Sequence, residues 1–222
     1  MTPIGIFGGT FDPVHYGHLR LAQELATGFE LTQVRFIPAG HPPHRGEPGV
    51  SSAQRLEMVR LAIAGNPAFV LDEREIFKQG PCYTVDTLAE LRHELGTDQP
   101  LCLLLGADAF LGLGTWHNWQ ALFDLAHIIV AHRPGFPQIA WADNMPEPLK
   151  RELRQRQQHD VGVLRAAPAG GIFAHTITAL DISATFIRNS LQAGKSPRYL
   201  LPDAVLDYIQ AHQLYTRGHD AS

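Results

Sequence analysis

Short apolar runs alternate along this chain with stripes of apolar residues at helical spacing, and that alternation limits its folds more than any other feature. Leu101 to Leu105 is continuously apolar, the pattern of a central parallel strand covered by helices on both faces. Pro3-Ile4-Gly5-Ile6-Phe7, Val34 to Pro38, Phe69 to Ile76 and Ile128 to Ala131 read as further strands, and Val161 to Arg165 as a return to the sheet. Leu19, Ala22, Leu25 and Ala26, then Leu56, Val59 and Ile63, then Val85, Leu88, Leu91 and Leu95 recur on single helical faces. Ser51-Ser52 and the hydroxyl of Thr84 are placed to cap the second and third of these helices, and Ala184 to Gln192 and Ala204 to His212 predict the last two. The pattern predicts an α/β fold with a parallel sheet flanked by helices.

Residues 1–222 read as a single domain, with 137–160 as a peripheral polar excursion carrying a helix around Leu149 to Gln158. Hydrophobic residues at 45% and charged residues at 18% supply enough apolar material for a packed core. A net charge of -4 gives no support for a nucleic-acid surface held by phosphate neutralisation. Cys82 and Cys102 form no Cys-x-x-Cys pair, which suits reduced thiols in the cytoplasm, and no apolar run reaches the roughly 20 residues that span a bilayer.

The most specific chemistry lies in Gly8-Gly9-Thr10-Phe11-Asp12-Pro13-Val14-His15-Tyr16-Gly17-His18, between the first strand and the first helix. Glycines there let the backbone approach an anion, a helix N-terminus attracts one, and His15 and His18 stand about one helical turn apart. The same spacing can bring two histidines to one zinc ion, although no Cys or Glu partner is well placed for it. A second anion motif is Ile182-Ser183-Ala184-Thr185-Phe186-Ile187-Arg188, where Ser183 can cap a helix and Arg188 offers a forked cation to a triphosphate.

Asp108 follows the Leu101 to Leu105 strand, where a carboxylate suits a ribose hydroxyl or a divalent cation. His44, and less strongly His41, lie in a loop suited to a substrate phosphate or base. Gly194-Lys195-Ser196 looks like the end of a P-loop, but Asn189 stands where the first glycine is required, so the segment reads as a helix C-cap and loop. Nor do the N-terminal glycines have the spacing of a dinucleotide oxidoreductase.

With its His15-Tyr16-Gly17-His18 signature the chain resembles the nucleotidyltransferase superfamily, and the longer Gly8 to His18 run resembles the bacterial nicotinate-nucleotide adenylyltransferases. The likeness continues through Tyr83 to Leu88, Gly106-Ala107-Asp108, Trp116 to Trp119, His132 to Gly135 and Ile182 to Arg188. It implies a Rossmann-like fold and a Mg2+-dependent reaction of ATP with nicotinic acid mononucleotide, giving nicotinic acid adenine dinucleotide and pyrophosphate. It also assigns His15, His18 and Arg188 to catalysis, and Gly8, Gly9, Thr10, Phe11, Gly106, Asp108, Ile182, Ser183 and Thr185 to ATP. His44, Tyr83, Thr84, Trp116 and Arg133 fall to the acceptor, with Trp116 against the pyridine ring. Ala184 departs from the family pattern, which usually has a second serine there. Metal ligands and oligomeric state are not assigned. Nicotinamide mononucleotide or another phosphorylated acceptor, and a nucleotide-binding module without turnover, are the alternative readings.

Overall fold

The computed structural model describes residues 1–41, 49–134 and 145–216. Its elements in chain order are β1 (Ile4–Gly9), α1 (Tyr16–Gly28), β2 (Gln33–Pro38), α2 (Ser52–Ile63), β3 (Phe69–Leu71), α3 (Thr84–Leu95) and β4 (Leu101–Gly106). There follow α4 (Ala107–Leu111), two 3-10 turns (Leu113–Thr115 and Trp119–Ala121), α5 (Leu122–Leu125) and β5 (His127–His132). The chain continues with α6 (Glu147–Arg156), α7 (Val163–Ala166), β6 (Ile172–Thr176), α8 (Ala184–Gln192) and α9 (Asp203–Ala211).

The six strands form one sheet in the order β3-β2-β1-β4-β5-β6. Parallel pairing is in register Ile6 to Leu103 for β1 and β4, Leu103 to Ile128 for β4 and β5, and Val130 to Ala174 for β5 and β6. This is the Rossmann order, reversing its direction of growth at β1, whose carboxyl end carries the glycine turn. β4 and β5 are buried almost throughout, as their continuous apolar sequences require.

Contacts group the residues into two compact units, one of Met1–Phe7, Leu21–Arg35 and Tyr83–Ala179, the other of Gly8–Arg20, Phe36–Cys82 and Leu180–Ser222. In the first, Leu25, Leu88, Leu91, Ile128, Ile129 and Phe173 are buried. A Cβ on Gly5 would come within 2.9 Å of Leu31 and 3.2 Å of Leu104, so glycine lets these side chains close over β1. His127 is buried as a neutral ring: the Gly171 N–H donates to Nδ1 at 3.0 Å, which leaves Nε2 to donate to the Ala167 carbonyl at 2.9 Å. In the second unit α9 packs against α2, burying Met58, Val59, Val205, Leu206 and Ile209. Ser51 caps α2 with a full capping box, its hydroxyl accepting from the Gln54 N–H.

Three expectations need correction. The strand expected over 69–76 ends at Leu71, because Asp72 folds back to accept from the backbone N–H and the guanidinium of Arg74, and the Ile76 N–H then bonds the Glu73 carbonyl in a turn. Val161 to Arg165 enters helix α7 after Asp160 accepts from the Gly162 N–H. The sixth strand is instead Ile172–Thr176, behind Gly170 at φ +100° and Gly171. Finally, Thr84 is the first residue of α3 and not its cap; Tyr83 occupies the cap position, and no side chain caps that end. The helix expected at Leu149 to Gln158 runs from Glu147 to Arg156, while 135–144, inside the expected excursion, lies outside the described residues.

Candidate active site

The second unit brings the two anion motifs together. β1 ends at Gly8 and Gly9, and the chain turns through Phe11 at φ +50°, an unusual backbone for a bulky residue. The Phe11 ring fills the space that a Cβ on Gly9 would need, at 3.0 Å, whereas Gly8 is exposed and its nearest neighbour is the Ile37 carbonyl oxygen at 4.0 Å. Packing therefore keeps Gly9 without a side chain, whereas Gly8 is exposed. Phe11 also meets the edge of His18, with ring centroids 5.1 Å apart.

His15 immediately precedes α1, and His18 lies in its first turn. Their rings stack with centroids 3.8 Å apart and 25° between planes. The His15 backbone N–H donates to His18 Nδ1 at 3.3 Å, so in the neutral ring the proton sits on Nε2. Burial pulls the His15 pKa down to about 4, and its Nδ1 is buried with no hydrogen-bond partner among the described residues. His15 is thus a neutral imidazole near pH 7, an aligned dipole and not a cation. Gly17 makes this arrangement possible, because a Cβ there would lie 3.0 Å from His15 Nδ1.

Ser183 caps α8 as expected, accepting from the Phe186 N–H at 3.2 Å. One turn along, Arg188 donates from Nη1 to the Asp12 carbonyl at 2.7 Å and from Nη2 to Thr185 Oγ1 at 3.4 Å. Arg188 is partly exposed, as are Thr10 and Ile182, whereas Ser183 and Thr185 are exposed. Gly194, at φ +69°, ends the last turn of α8, with its N–H on the Leu191 carbonyl and that of Lys195 on the Ser190 carbonyl. Gly194-Lys195-Ser196 is thus a helix terminus and its loop.

The first unit holds the other candidates. Tyr83 and Thr84 are half-buried at the start of α3, and the Tyr83 ring lies 4.3 Å from that of His117. Trp116 is half-buried at the end of a 3-10 turn, while Trp119 packs edge-on against Phe123 at 6.0 Å. Gly106 begins α4 with open space where a Cβ would sit, and Asp108 is exposed in its first turn. Arg133 is exposed just after β5. His41 is exposed at the end of the preceding described stretch, and His44 lies outside the described residues.

Four participants escaped the sequence reading: Asp12, Arg55, Tyr215 and His117. Asp12 accepts from the Tyr215 hydroxyl at 2.6 Å and from the Gly49 N–H at 3.1 Å, with Arg188 Nη1 at 3.7 Å from its carboxylate. Arg55 is 1% exposed and donates to the carbonyls of Thr10 at 2.8 Å and Gly40 at 3.0 Å, pinning the glycine turn from beneath. A signal was present for Arg55: it shares the buried face of α2 with Val59, four residues on, where a charge needs partners. Tyr215 had none, since its role comes from a partner 203 residues away.

A parallel sheet in the Rossmann order with a glycine turn and a stacked histidine pair after its first strand is the architecture of the nucleotidyltransferase class. Residues 6–190 match the family model described as cytidylyltransferase-like. The chain is 57% identical to a probable nicotinate-nucleotide adenylyltransferase of Dechloromonas aromatica, over 96% of this chain and 97% of that protein. It is 50% identical to one of Acidithiobacillus ferrooxidans, over 95% and 94%. Within the cytidylyltransferase-like class, the chain belongs to the nicotinate-nucleotide adenylyltransferase family. Its fold is similar to that of Plasmodium falciparum nicotinic acid mononucleotide adenylyltransferase complexed with NaAD, with a TM-score of 0.72 at 17% identity over 97% and 98% of the two chains.

Proposed function

We propose that this enzyme transfers AMP from ATP to nicotinic acid mononucleotide, forming nicotinic acid adenine dinucleotide and pyrophosphate in NAD biosynthesis. The observation that carries the chemistry is the convergence of His15, His18, Ser183 and Arg188 in one unit around the turn left open at Gly8. An oxygen of the acceptor's phosphate attacks the α-phosphorus of ATP, the bond to the bridging oxygen of pyrophosphate breaks, and that oxygen carries the charge away. No protein nucleophile is required. His18 donates from Nε2 to a phosphate oxygen, His15 contributes a neutral dipole beside it, and Arg188 spans two oxygens of the triphosphate. Alignment and charge dispersal supply the acceleration.

Among the described residues no group of three or more His, Cys, Asp or Glu side chains is arranged to hold a metal ion. Mg2+ would arrive with the triphosphate, since such ions are commonly bound through phosphates, waters and one or two carboxylates. Bound there it would neutralise phosphate charge, and Asp108 is the carboxylate that would hold it or a ribose hydroxyl. Tyr83, Thr84 and Trp116 are assigned to the acceptor's base, and His44 and Arg133 to its flanks. The enzyme is placed in the cytoplasm, which accords with Cys82 and Cys102 being free and buried; among the described residues no helix is long and apolar enough to cross a membrane.

The test is to incubate the purified chain with ATP, Mg2+ and a panel of phosphorylated acceptors while measuring pyrophosphate and dinucleotide. Dinucleotide formed from nicotinic acid mononucleotide is the expected result. Pyrophosphate release with another acceptor alone would reassign the substrate, and ATP binding without acceptor-dependent release would indicate a module without turnover.

A further inference from the structure

The second unit contains a buried polar cluster that phosphate binding does not explain. Tyr215, 5% exposed, gives its hydroxyl to Asp12 Oδ1 at 2.6 Å. The other carboxylate oxygen takes the Gly49 N–H at 3.1 Å, and Arg188 Nη1 stands off at 3.7 Å, bonding the Asp12 main-chain carbonyl instead. The geometry is costly to build. Tyr215 sits at φ +60° and Gln213 at φ +53°, in the left-handed region that bulky residues avoid, so surrounding contacts hold the end of this segment in place.

A carboxylate and a guanidinium this close form a tight bidentate pair when nothing else holds the oxygens. Here both oxygens are engaged elsewhere, and among the described residues the cation's one short bond goes to a neutral carbonyl. Burial and the neighbouring Asp12 carboxylate both raise the Tyr215 pKa, so the phenol stays protonated and remains the donor.

We propose that Tyr215 is a positioning residue for Arg188: by occupying Asp12 Oδ1, its hydroxyl keeps that carboxylate from capturing the guanidinium that receives the triphosphate. The assignment rests on the adenylyl-transfer reading for its purpose, but it is tested on ATP binding alone. Tyr215→Phe deletes only the hydroxyl. Asp12 is then free to pair with Arg188, and ATP affinity falls. Removing the carboxylate's charge in the same protein releases Arg188 again.

The dissociation constant of Mg-ATP, measured by calorimetry on the full chain without acceptor, should rise roughly tenfold in Tyr215→Phe, which corresponds to about 1.4 kcal/mol. The double variant Tyr215→Phe with Asp12→Asn should return to within about threefold of the parent, a rescue that a purely structural hydroxyl would not produce. Parent-like affinity in Tyr215→Phe, or a double variant no better than the single one, overturns the proposal. If Tyr215→Phe does not fold, the double variant is compared with Asp12→Asn alone: equal affinities within about threefold support the proposal, because the hydroxyl then acts only through the carboxylate, and a further loss in the double variant overturns it. Should the parent bind ATP yet transfer no adenylyl group, the functional reading fails while the affinity comparison stands.

Discussion

The rings of His15 and His18 stack 3.8 Å apart, and the backbone N–H of the first residue bonds Nδ1 of the second. Two imidazolium cations at that separation would repel strongly. Burial resolves the conflict by keeping His15 neutral, its pKa pulled down to about 4.

His18→Ala should therefore act mainly on turnover. Its donor is proposed to meet charge that grows on the phosphates during attack, and loss of one such donor costs about 3 kcal/mol, or roughly a hundredfold in kcat. Steady-state kinetics on a folded variant decide it, and near-parental kcat would remove His18 from the mechanism.

Arg188→Lys should behave as a severe change. Lysine keeps the charge but loses the planar fork that holds the Asp12 carbonyl at 2.7 Å while facing Thr185 Oγ1 at 3.4 Å. The expected outcome is a fall of at least about tenfold in kcat/KM for ATP, near 1.4 kcal/mol. Unchanged ATP affinity and turnover would rule out the triphosphate clamp.

His15 also makes stability depend on pH. Its folded pKa of about 4 lies below its ordinary 6.5, so between those values the unfolded chain binds more protons. Its contribution is complete above pH 6.5 and is lost as pH falls from 6.5 towards 4, by about 3 kcal/mol at most. Burial lowers the His127 pKa too, which adds to the same acid-side loss. Denaturant midpoints at several pH values should fall less steeply for His15→Asn than for the parent; equal slopes would show that His15 titrates normally in the folded chain.

Gly40 is required by a close backbone approach. A Cβ there would sit 2.1 Å from the Glu75 carbonyl oxygen, and Gly40's own carbonyl accepts from Arg55 at 3.0 Å. Gly40→Ala should destabilise by about 2 kcal/mol or more, since backbone must move. Gly65→Ala is the control: nothing lies within 4 Å of its Cβ position, and the change should stay within about 0.5 kcal/mol. Chemical denaturation of both variants tests the pair, and equal midpoints would contradict the close approach.

For the acceptor, the acid should be preferred to the amide. α3 starts at Thr84 with no side-chain cap, so its terminal N–H groups favour an anion. Helix-end charge contributes about 0.3–2 kcal/mol, and an amide NH2 facing backbone donors would leave groups unpaired at a cost of about 1–3 kcal/mol more. A preference of at least roughly tenfold in kcat/KM follows. Equal values for the two mononucleotides would sink the acid assignment and leave adenylyl transfer intact.

What could be read from residue order was whatever depends on neighbours along the chain. Leu101 to Leu105 declared a buried parallel strand, Ser51 and Ser183 declared helix starts, and Asn189 with Gly194 exposed a false P-loop. Gly8 to His18 and Ile182 to Arg188 could each be read as a candidate anion site because turns, caps and helix ends are local structures. The errors fell where a local pattern was overruled. Asp72 folded onto Arg74 and cut a strand short, and Tyr83 took the cap position expected of Thr84.

Folding alone decided the pairings between distant residues and the charges that follow from them. Asp12 meets Tyr215 across 203 positions and Arg188 across 176, separations at which no periodicity carries information. His15 reads as an ordinary titrating histidine until burial strips its water, because desolvation belongs to the packed site and not to the residue. The types of group at the site are thus a property of residue order, whereas their protonation and partners arise only when the chain closes on itself and excludes solvent.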